Sequence, residues 1–238
     1  MVRPIKSRQI PNLQEAIKEV AWKQIGESGA SSLSLRSIAR ELKISAPAIY
    51  NYFADRDALV TALIVDAFCS FGDYQLQAMA GFPEPGDSVR RLWAIGVAYR
   101  EWALAYPQRY VLIFGNPIPG YTFPQEQALP VMERSRSALT GIIGEIYAAG
   151  MLKVPESLHS LPGSDRVPAY MVNCNGSEES LVPLIAMLIW SRVHGLVSLE
   201  LGGMIPDVDN LATMLYQLEL DLVVSQFVNM QHMGEGHV

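Results

Sequence analysis

The residues whose types and spacing suggest chemistry lie in one short segment, residues 45–52, which reads SAPAIYNY. Ser45 is a suitable helix N-cap, and Pro47 fits the first turn of a helix, where its missing N–H leaves no bond unmade. Small residues at the start of this helix allow close approach to another surface, and a helix N-terminus favours phosphate groups. The chemistry predicted is therefore non-covalent binding of a phosphate polymer by an outward face of Ala46, Pro47, Ala48, Tyr50, Asn51 and Tyr52.

The residues just before this segment predict the element that positions it. Ser34 can cap a helix, and apolar residues at helical spacing give that helix one buried face: Leu35, Ile38, Ala39 and Leu42. A three-residue turn, Lys43-Ile44-Ser45, then leads into the second helix. Two short helices joined in this way form a helix-turn-helix, whose second helix fits the DNA major groove, about 12 Å wide.

Flanking patterns complete a small helical domain. Residues 12–28 have helical periodicity, with Asn12 predicted as N-cap, Glu15 as its capping-box partner and Gly29 as the left-handed end. Asp55 is predicted to cap a long helix that ends near residues 82–86, FPEPG. Its inward residues are predicted to be Leu59, Leu63 and Phe68.

The rest of the chain also has helical periodicity, and neither alternating strand patterns nor internal repeats occur. Helices are predicted at 89–105, 107–114, 125–151, 180–201 and 207–228, with a loop at 152–178. The sequence predicts an all-α fold with three parts. They are a helix-turn-helix domain at 1–55, a larger helical domain at 56–228, and a flexible tail at 229–238.

Charge is distributed unevenly along the chain. The formal net charge is −6, but residues 1–60 contain nine Lys/Arg and six Asp/Glu, a local balance of +3. The remainder contains nine basic and 18 acidic residues, a balance of −9. A basic end on an acidic body is a modest indication of a polyanion-binding domain.

Other classes of protein find little support. Nucleophile, phosphate-loop and metal-ligand motifs are absent, which argues against an enzyme, a metal site or a cofactor. Cys69 and Cys174 lack metal-ligand spacing and suit reduced thiols in the cytoplasm. Residues 1–20 lack the apolar stretch of a signal peptide. The apolar segment 181–201 contains Arg192, His194 and Glu200, which favours a buried helix over a membrane span.

The segment from Ser34 to Leu59 resembles the TetR family of bacterial transcriptional regulators. The resemblance rests on a leading helix, a hydroxyl-capped helix, the Ser-x-Pro/Gly-x-Ile-Tyr-x-Tyr-Phe pattern and a charged pair opening a long helix. The matching residues are Ser45, Pro47, Ile49, Tyr50, Tyr52, Phe53, Arg56 and Leu59. One position departs from the family pattern, because Lys43 stands where a glycine is usual in the turn.

This resemblance implies roles for individual residues. Ser34 and Arg36 would contact the DNA backbone, and Arg56 would clamp a phosphate from the start of the fourth helix. Lys43 could add a further phosphate contact. Bases would face Ala46, Pro47, Ala48 and Asn51, and phosphates would be bound by Tyr50 and Tyr52. The family also implies a palindromic double-stranded operator, repression, and release by a small effector that shifts the helix at residues 55–80.

The last helices predict a homodimer. Apolar residues step by 3, 4, 3 and 4 along the final helix at Val208, Leu211, Leu215, Leu218 and Leu222. Segment 181–201 is apolar on nearly all sides and needs cover on two faces. In the TetR family two such helices from each protomer form a four-helix interface. The alternative is that both helices belong to the core of a monomer.

A small, largely apolar effector is predicted to bind among aromatic side chains. The run Trp190 to Gly195 resembles a Trp…His-Gly motif found in the effector domain of one branch of the family. Ordinary core packing is the alternative for every residue of this set. The candidate residues are Trp93, Tyr99, Trp102, Tyr110, Phe114, Tyr147, Met151, Met187, Trp190 and His194.

Overall fold

The computed structural model describes residues 11–159, 181–206 and 208–230. Regular structure in these ranges is helical, apart from one isolated antiparallel bridge between Leu152 and Val228. The all-α prediction is confirmed. The helices are α1 (Leu13–Ser28), α2 (Leu35–Leu42), α3 (Ala46–Tyr50), α4 (Arg56–Met79), α5 (Ser88–Ala105), α6 (Pro107–Phe114), α7 (Gln125–Ala148), α8 (Glu156–His159), α9 (Leu181–Leu201) and α10 (Leu211–Phe227).

The predicted capping box of α1 is wrong. Asn12 has left-handed backbone angles, φ 55° and ψ 63°, and its side chain makes no capping hydrogen bond. A side-chain N-cap normally has an extended backbone, from which its oxygen reaches the first turn. Glu15 instead forms an ion pair with Lys18 at 3.1 Å. The predicted end is confirmed, since Gly29 has φ 77°.

The start of α2 and that of α4 follow the sequence prediction. The Ser34 hydroxyl accepts a hydrogen bond from the backbone N–H of Ser37 at 3.4 Å. The Asp55 carboxylate accepts one from the N–H of Ala58 at 2.7 Å. Ser45 differs, because it makes no side-chain cap although Pro47 lies in the first turn of α3, as predicted. α3 also ends at Tyr50, two residues earlier than the sequence suggested.

The chain divides into two compact units. The first comprises residues up to Ser70 together with Tyr106–Met132, and the second comprises Phe71–Ala105 together with residues from Glu133 onward. This division differs from the linear boundary at residue 55. The reason is that the first half of α4, α6 and the loop after α6 contribute apolar side chains to the first unit's core.

The core of the first unit supports the helix-turn-helix from behind. Fully buried side chains come from α1, α2, α3 and α4, and burial of each contributes about 1.5–3 kcal/mol. Side chains of α6 and its following loop pack against them. The buried set includes Ile17, Ile38, Ile49, Leu59 and Leu63, and the packed set includes Leu112, Phe114 and Tyr121.

The second unit has its own core, formed mainly by α5, α7, α9 and α10. Its fully or nearly fully buried side chains include Ile142, Ile146, Ile185, Ile189 and Phe227. A polar network also joins three of its helices. Arg100 donates two hydrogen bonds to Glu200, at 2.6 and 2.7 Å, and one to the Thr213 hydroxyl at 3.0 Å. α9 and α10 are thereby fixed to α5.

Several predicted bounds in the second unit are wrong. α7 ends at Ala148 rather than Met151, and α10 begins at Leu211 rather than 207. The predicted loop at 152–178 contains α8, whose Leu158 is buried in the core; residues 160–178 lie outside the described ranges. The predicted tail begins too early, because the Asn229 N–H donates to the Met151 carbonyl at 2.8 Å. Its remaining residues, 231–238, are likewise outside the described ranges.

Among the helices that the structure describes, α4 and α9 are long and apolar enough by composition to cross a membrane. Buried helices in the cores of soluble proteins meet the same criterion, so the observation is weak. Six residues of α9 are buried within this fold, and the helix contains Arg192, His194 and Glu200. The fold covers part of the apolar surface of α9, with 33% of its most apolar stretch buried.

Candidate nucleic-acid interface

The short helix α3 separates its side chains into a buried and an exposed set. Ile49 and Phe53 are buried in the first unit's core. Tyr50 and Tyr52 are 49% and 47% exposed, and Pro47 and Asn51 are also exposed. Large aromatic side chains that remain half in solvent are suited to a polar partner. Four of the six residues predicted to face outward are exposed, namely Pro47, Tyr50, Asn51 and Tyr52, whereas Ala46 and Ala48 are half-buried and Ala46 packs against the core.

The start of α3 is shaped for close approach. Ser45 is exposed, while the Ala46 and Ala48 methyl groups are half-buried and leave the helix surface low. Ser45 has an extended backbone, and its carbonyl accepts the N–H of Ala48 at 3.0 Å. A base edge can therefore come near the backbone of the first turn.

The α2 helix adds a polar and basic edge. Ser34 is held by two bonds, because its hydroxyl caps α2 and its N–H donates to the Gln24 side-chain oxygen at 3.3 Å. Arg36 is exposed on the first turn of α2. Sequence reasoning missed Gln24, since no local pattern connects a glutamine of α1 with a cap ten residues later.

The turn between α2 and α3 contains a lysine with left-handed backbone angles. Lys43 has φ 55° and ψ 40°, and its N–H donates to the Arg40 carbonyl at 3.2 Å. A left-handed non-glycine residue costs roughly 1 kcal/mol. The turn therefore keeps the geometry that glycine usually provides, and Lys43 adds an exposed cation.

Arg56 makes mainly internal contacts. Its Nη2 donates to the carbonyls of Ala30 at 2.9 Å and Ser31 at 3.4 Å, and its Nη1 pairs with Asp57 at 3.1 Å. The side chain is 29% exposed. These bonds fasten the start of α4 to the turn that precedes α2. The phosphate contact implied by the resemblance stays a prediction, and the observed bonds give Arg56 a positioning role.

We expect Arg56→Ala to lower affinity for duplex DNA about 10-fold. The log–log slope of affinity against salt should change by less than the value for one phosphate contact per protomer. The loss of a charged hydrogen bond to the turn, about 1.5 kcal/mol or more, loosens the support of α2. Binding isotherms between 50 and 200 mM salt measure both quantities. A decrease of the log–log slope by about 0.9 per Arg56 would show a direct phosphate contact instead.

Some of the predicted effector residues lie together in the second unit. The Tyr99 hydroxyl and His194 Nδ1 are 2.8 Å apart, and the His194 ring stacks on Trp190 at 4.7 Å between centroids. The Tyr99 ring packs edge-on against Phe71 at 5.2 Å, and Phe71 lies 5.0 Å from Trp102. This aromatic cluster is a candidate for the predicted effector site.

The other predicted effector residues are distributed differently. Tyr110 and Phe114 belong to the first unit, where their rings are 5.2 Å apart. Trp93 is exposed on α5, Met151 is buried in the second core, and Tyr147 and Met187 are half-buried. That all ten residues line one pocket stays a prediction.

Burial lowers the pKa of the His194 imidazole from its usual value of about 6.5. When the pKa of a histidine is lower in the folded state than in the unfolded state, the folded state favours the neutral imidazole, and the neutral histidine contributes to the free energy of unfolding. This contribution is present above the unfolded pKa and is lost as pH falls through the folded pKa.

We therefore expect the free energy of unfolding to decrease as pH falls from 7.5 to 5.5, and His194→Gln to reduce that decrease. Urea denaturation at the two pH values measures it. The other three histidines, His159, His232 and His237, are common to both proteins and so cancel in the comparison. An identical pH dependence in the variant would contradict the assignment.

Arg109 is a residue of the first unit that sequence reasoning also missed. Its guanidinium lies over the Trp22 ring at 5.3 Å and the Tyr106 ring at 4.7 Å, and it donates to the Ser70 hydroxyl at 3.1 Å. These contacts hold α6 to α1 and α4 inside the unit that carries α3. Groups of His, Cys, Asp and Glu able to hold a metal do not occur among the described residues.

Comparison with known proteins identifies this arrangement. Residues 17–63 match the family model for bacterial regulatory proteins of the tetR family. Residues 92–222 match the model described as Tetracyclin repressor-like, C-terminal domain, which alone spans more than half of the chain. The chain belongs to the TetR family. It is accordingly a DNA-binding transcriptional regulator and not an enzyme.

Individual relatives agree with the TetR assignment. The HTH-type transcriptional regulator Rv1816 of Mycobacterium tuberculosis is 31% identical over 196 residues, covering 80% of this chain and 81% of the relative. The crystal structure of the regulatory protein SCO4313 has a TM-score of 0.70 and 32% identity, covering 91% and 100% of the two chains. PfmR of Thermus thermophilus, a TetR family regulator, shares the fold at a TM-score of 0.58 and 15% identity, with 88% and 97% covered.

Proposed function

We propose that this TetR-family regulator is a repressor that binds a palindromic operator as a homodimer and is released by a small, largely apolar effector. The observation that carries the proposal is the exposed face of α3, where Pro47, Tyr50, Asn51 and Tyr52 point outward while Ile49 and Phe53 anchor the helix. Ala46, Pro47, Ala48 and Asn51 face bases. The two tyrosines bind phosphates, which position the helix without reading sequence.

An exposed apolar stripe on α10 supports dimerisation. Leu215, Leu218 and Leu222 recur at helical spacing and are exposed, and Leu218 is 54% exposed. The opposite side of α10 supplies Tyr216, Leu220 and Val223 to the core. Contiguous apolar surface of this kind is typical of a protein interface. A second copy is the occupant we propose, because α9 also exposes apolar side chains, at Leu188 and Leu199.

The small residues of α9 suit a helix-to-helix contact. Ser191 and Gly195 lie between Leu188 and Leu199 at steps of three and four residues, so they share that face. Small side chains let partner helices approach closely. A two-fold axis through such a bundle relates the α3 helices of the two protomers to each other. A palindromic operator has two half-sites about 34 Å apart, so each half-site can bind one α3 helix.

The aromatic cluster around Tyr99, Trp190 and His194 supports an effector site in the second unit. A ligand that separates the His194 and Trp190 rings would alter α9, which carries both. Release of DNA then requires only that the ligand bind the two conformations with different affinity. A small, flat, apolar molecule with one hydrogen-bonding group fits this chemistry.

Selection of bound duplexes from a random pool tests the DNA part of the proposal. We expect a two-fold symmetric consensus, and affinity that falls steeply with salt at a log–log slope of about −0.9 per phosphate contact. Absence of both would favour the alternative, a helix-turn-helix module that binds proteins. Light scattering on the same sample tests the dimer independently.

A further inference from the structure

The two flanks of α2 differ in charge and in what they contact. On one flank, Glu41 pairs with Lys23 of α1 at 2.8 Å and the Ser34 N–H bonds to Gln24 of α1. This flank faces α1. Arg36 and Arg40 lie on the solvent side of α2, about 140° and 100° around the helix from Glu41 and about 40° from each other. Lys43 follows in the left-handed turn at the end of α2.

We define Arg36, Arg40 and Lys43 as the α2 basic stripe. All three side chains are exposed. α2 carries one acidic residue, Glu41, and that carboxylate is on the α1 flank and is already paired. The three cations of the stripe therefore form no ion pair with a carboxylate of α2. Three like charges in a row repel one another, so an anion alongside them is favourable.

Arg40 is the member of the stripe without an assigned role. One of its guanidinium nitrogens, Nη2, donates to the Ser37 hydroxyl at 3.3 Å, a long hydrogen bond within the same helix. It has no acidic partner among the described residues. A guanidinium has five N–H donors and suits phosphate oxygens, so most of its capacity remains for an outside acceptor.

We propose that Arg40 is an additional phosphate-binding residue, and that the α2 basic stripe follows the sugar–phosphate backbone beside the groove that α3 enters. This inference rests on the proposed function. The occupant is a run of backbone phosphates of duplex DNA, since two cations one helical turn apart and a third in the adjoining turn match a polyanion of closely spaced charges. Arg40 binds without reading sequence.

Arg40→Gln tests the inference on the full-length protein, with the selected operator and an unrelated duplex as probes. Each dimer loses two phosphate contacts, so we expect the log–log salt slope to become less steep by about 1.8 on both duplexes. Arg40→Lys keeps the charge and should restore most of the slope. Lys23→Gln is the matched control, because it removes a cation of the same unit on the α1 flank and should leave the slope unchanged.

The outcomes separate this inference from the proposed function. A wild-type protein without salt-dependent duplex binding would overturn the proposed function itself. A steep wild-type slope that Arg40→Gln leaves unchanged would overturn the role of Arg40 alone. If Arg40→Gln and Lys23→Gln make the salt slope less steep by the same amount, the change reflects net charge alone. That result would also overturn the role of Arg40. Equal urea midpoints exclude a folding defect as the cause.

Discussion

A variant in which Tyr50 and Tyr52 are both phenylalanine should bind duplex DNA at least about 100-fold more weakly than the wild-type protein. Tyr50 and Tyr52 are 49% and 47% exposed, at the end of α3 and just after it, and the ring atoms remain when the hydroxyl is removed. A hydrogen bond to a charged group is worth about 1.5–3 kcal/mol. A dimer loses four such bonds, and each 1.4 kcal/mol corresponds to a factor of ten in affinity.

The loss should be similar for the operator and for unrelated duplexes, because phosphate contacts carry no sequence information. Fluorescence anisotropy with both probes at fixed salt measures it. Tyr106→Phe is the matched control, since that residue lies in the same unit but outside the helix-turn-helix segment, and its ring packs against Arg109 through its face. A loss confined to the operator would indicate that the hydroxyls read bases.

Leu218→Asp should convert the proposed dimer to a monomer and reduce operator affinity by more than about 100-fold. Leu218 lies within the exposed apolar stripe of α10. At a closed interface its carboxylate would lose its hydration without gaining a partner, which costs several kcal/mol for each copy. A monomer has one α3 helix, so it loses the additional affinity that a second linked half-site provides.

Light scattering at micromolar concentration and operator binding measure the two effects together. Gln217→Glu is a suitable control, because residue 217 is exposed on the same helix but lies about 100° from Leu218. It should remain a dimer. A Leu218→Asp protein that is still dimeric would place the interface elsewhere, and both helices would then serve the monomer alone.

Local patterns predicted the exposed tyrosines and the buried Ile49 and Phe53. Pro47 in the first turn, the inward Ile49 and the outward Tyr50 depend on helix geometry, which acts over four residues, and Tyr52 and Phe53 follow directly after α3. The Ser34 and Asp55 caps are equally local and are confirmed. In such cases the nearest neighbours in sequence determine the conformation.

Long-range contacts could not be predicted in this way. Arg56 bonds to carbonyls 25 and 26 residues earlier, and the Ser34 N–H bonds to Gln24. Neither has a periodic signature, because the fold brings the partners together. Asn12 shows the converse, since a good local capping pattern was overridden by a left-handed backbone. The buried pairing of Tyr99 with His194, 95 residues apart, likewise needed the structure.

The composition of the first unit has a practical consequence for protein engineering. Residues 106–132, encoded far from α3, complete its hydrophobic core through Leu112, Phe114 and Tyr121. A fragment cut after residue 70 would expose the apolar patch that those side chains cover, and should aggregate. A chimera that transplants the DNA specificity of this regulator onto a relative must therefore exchange two separate stretches of the gene together.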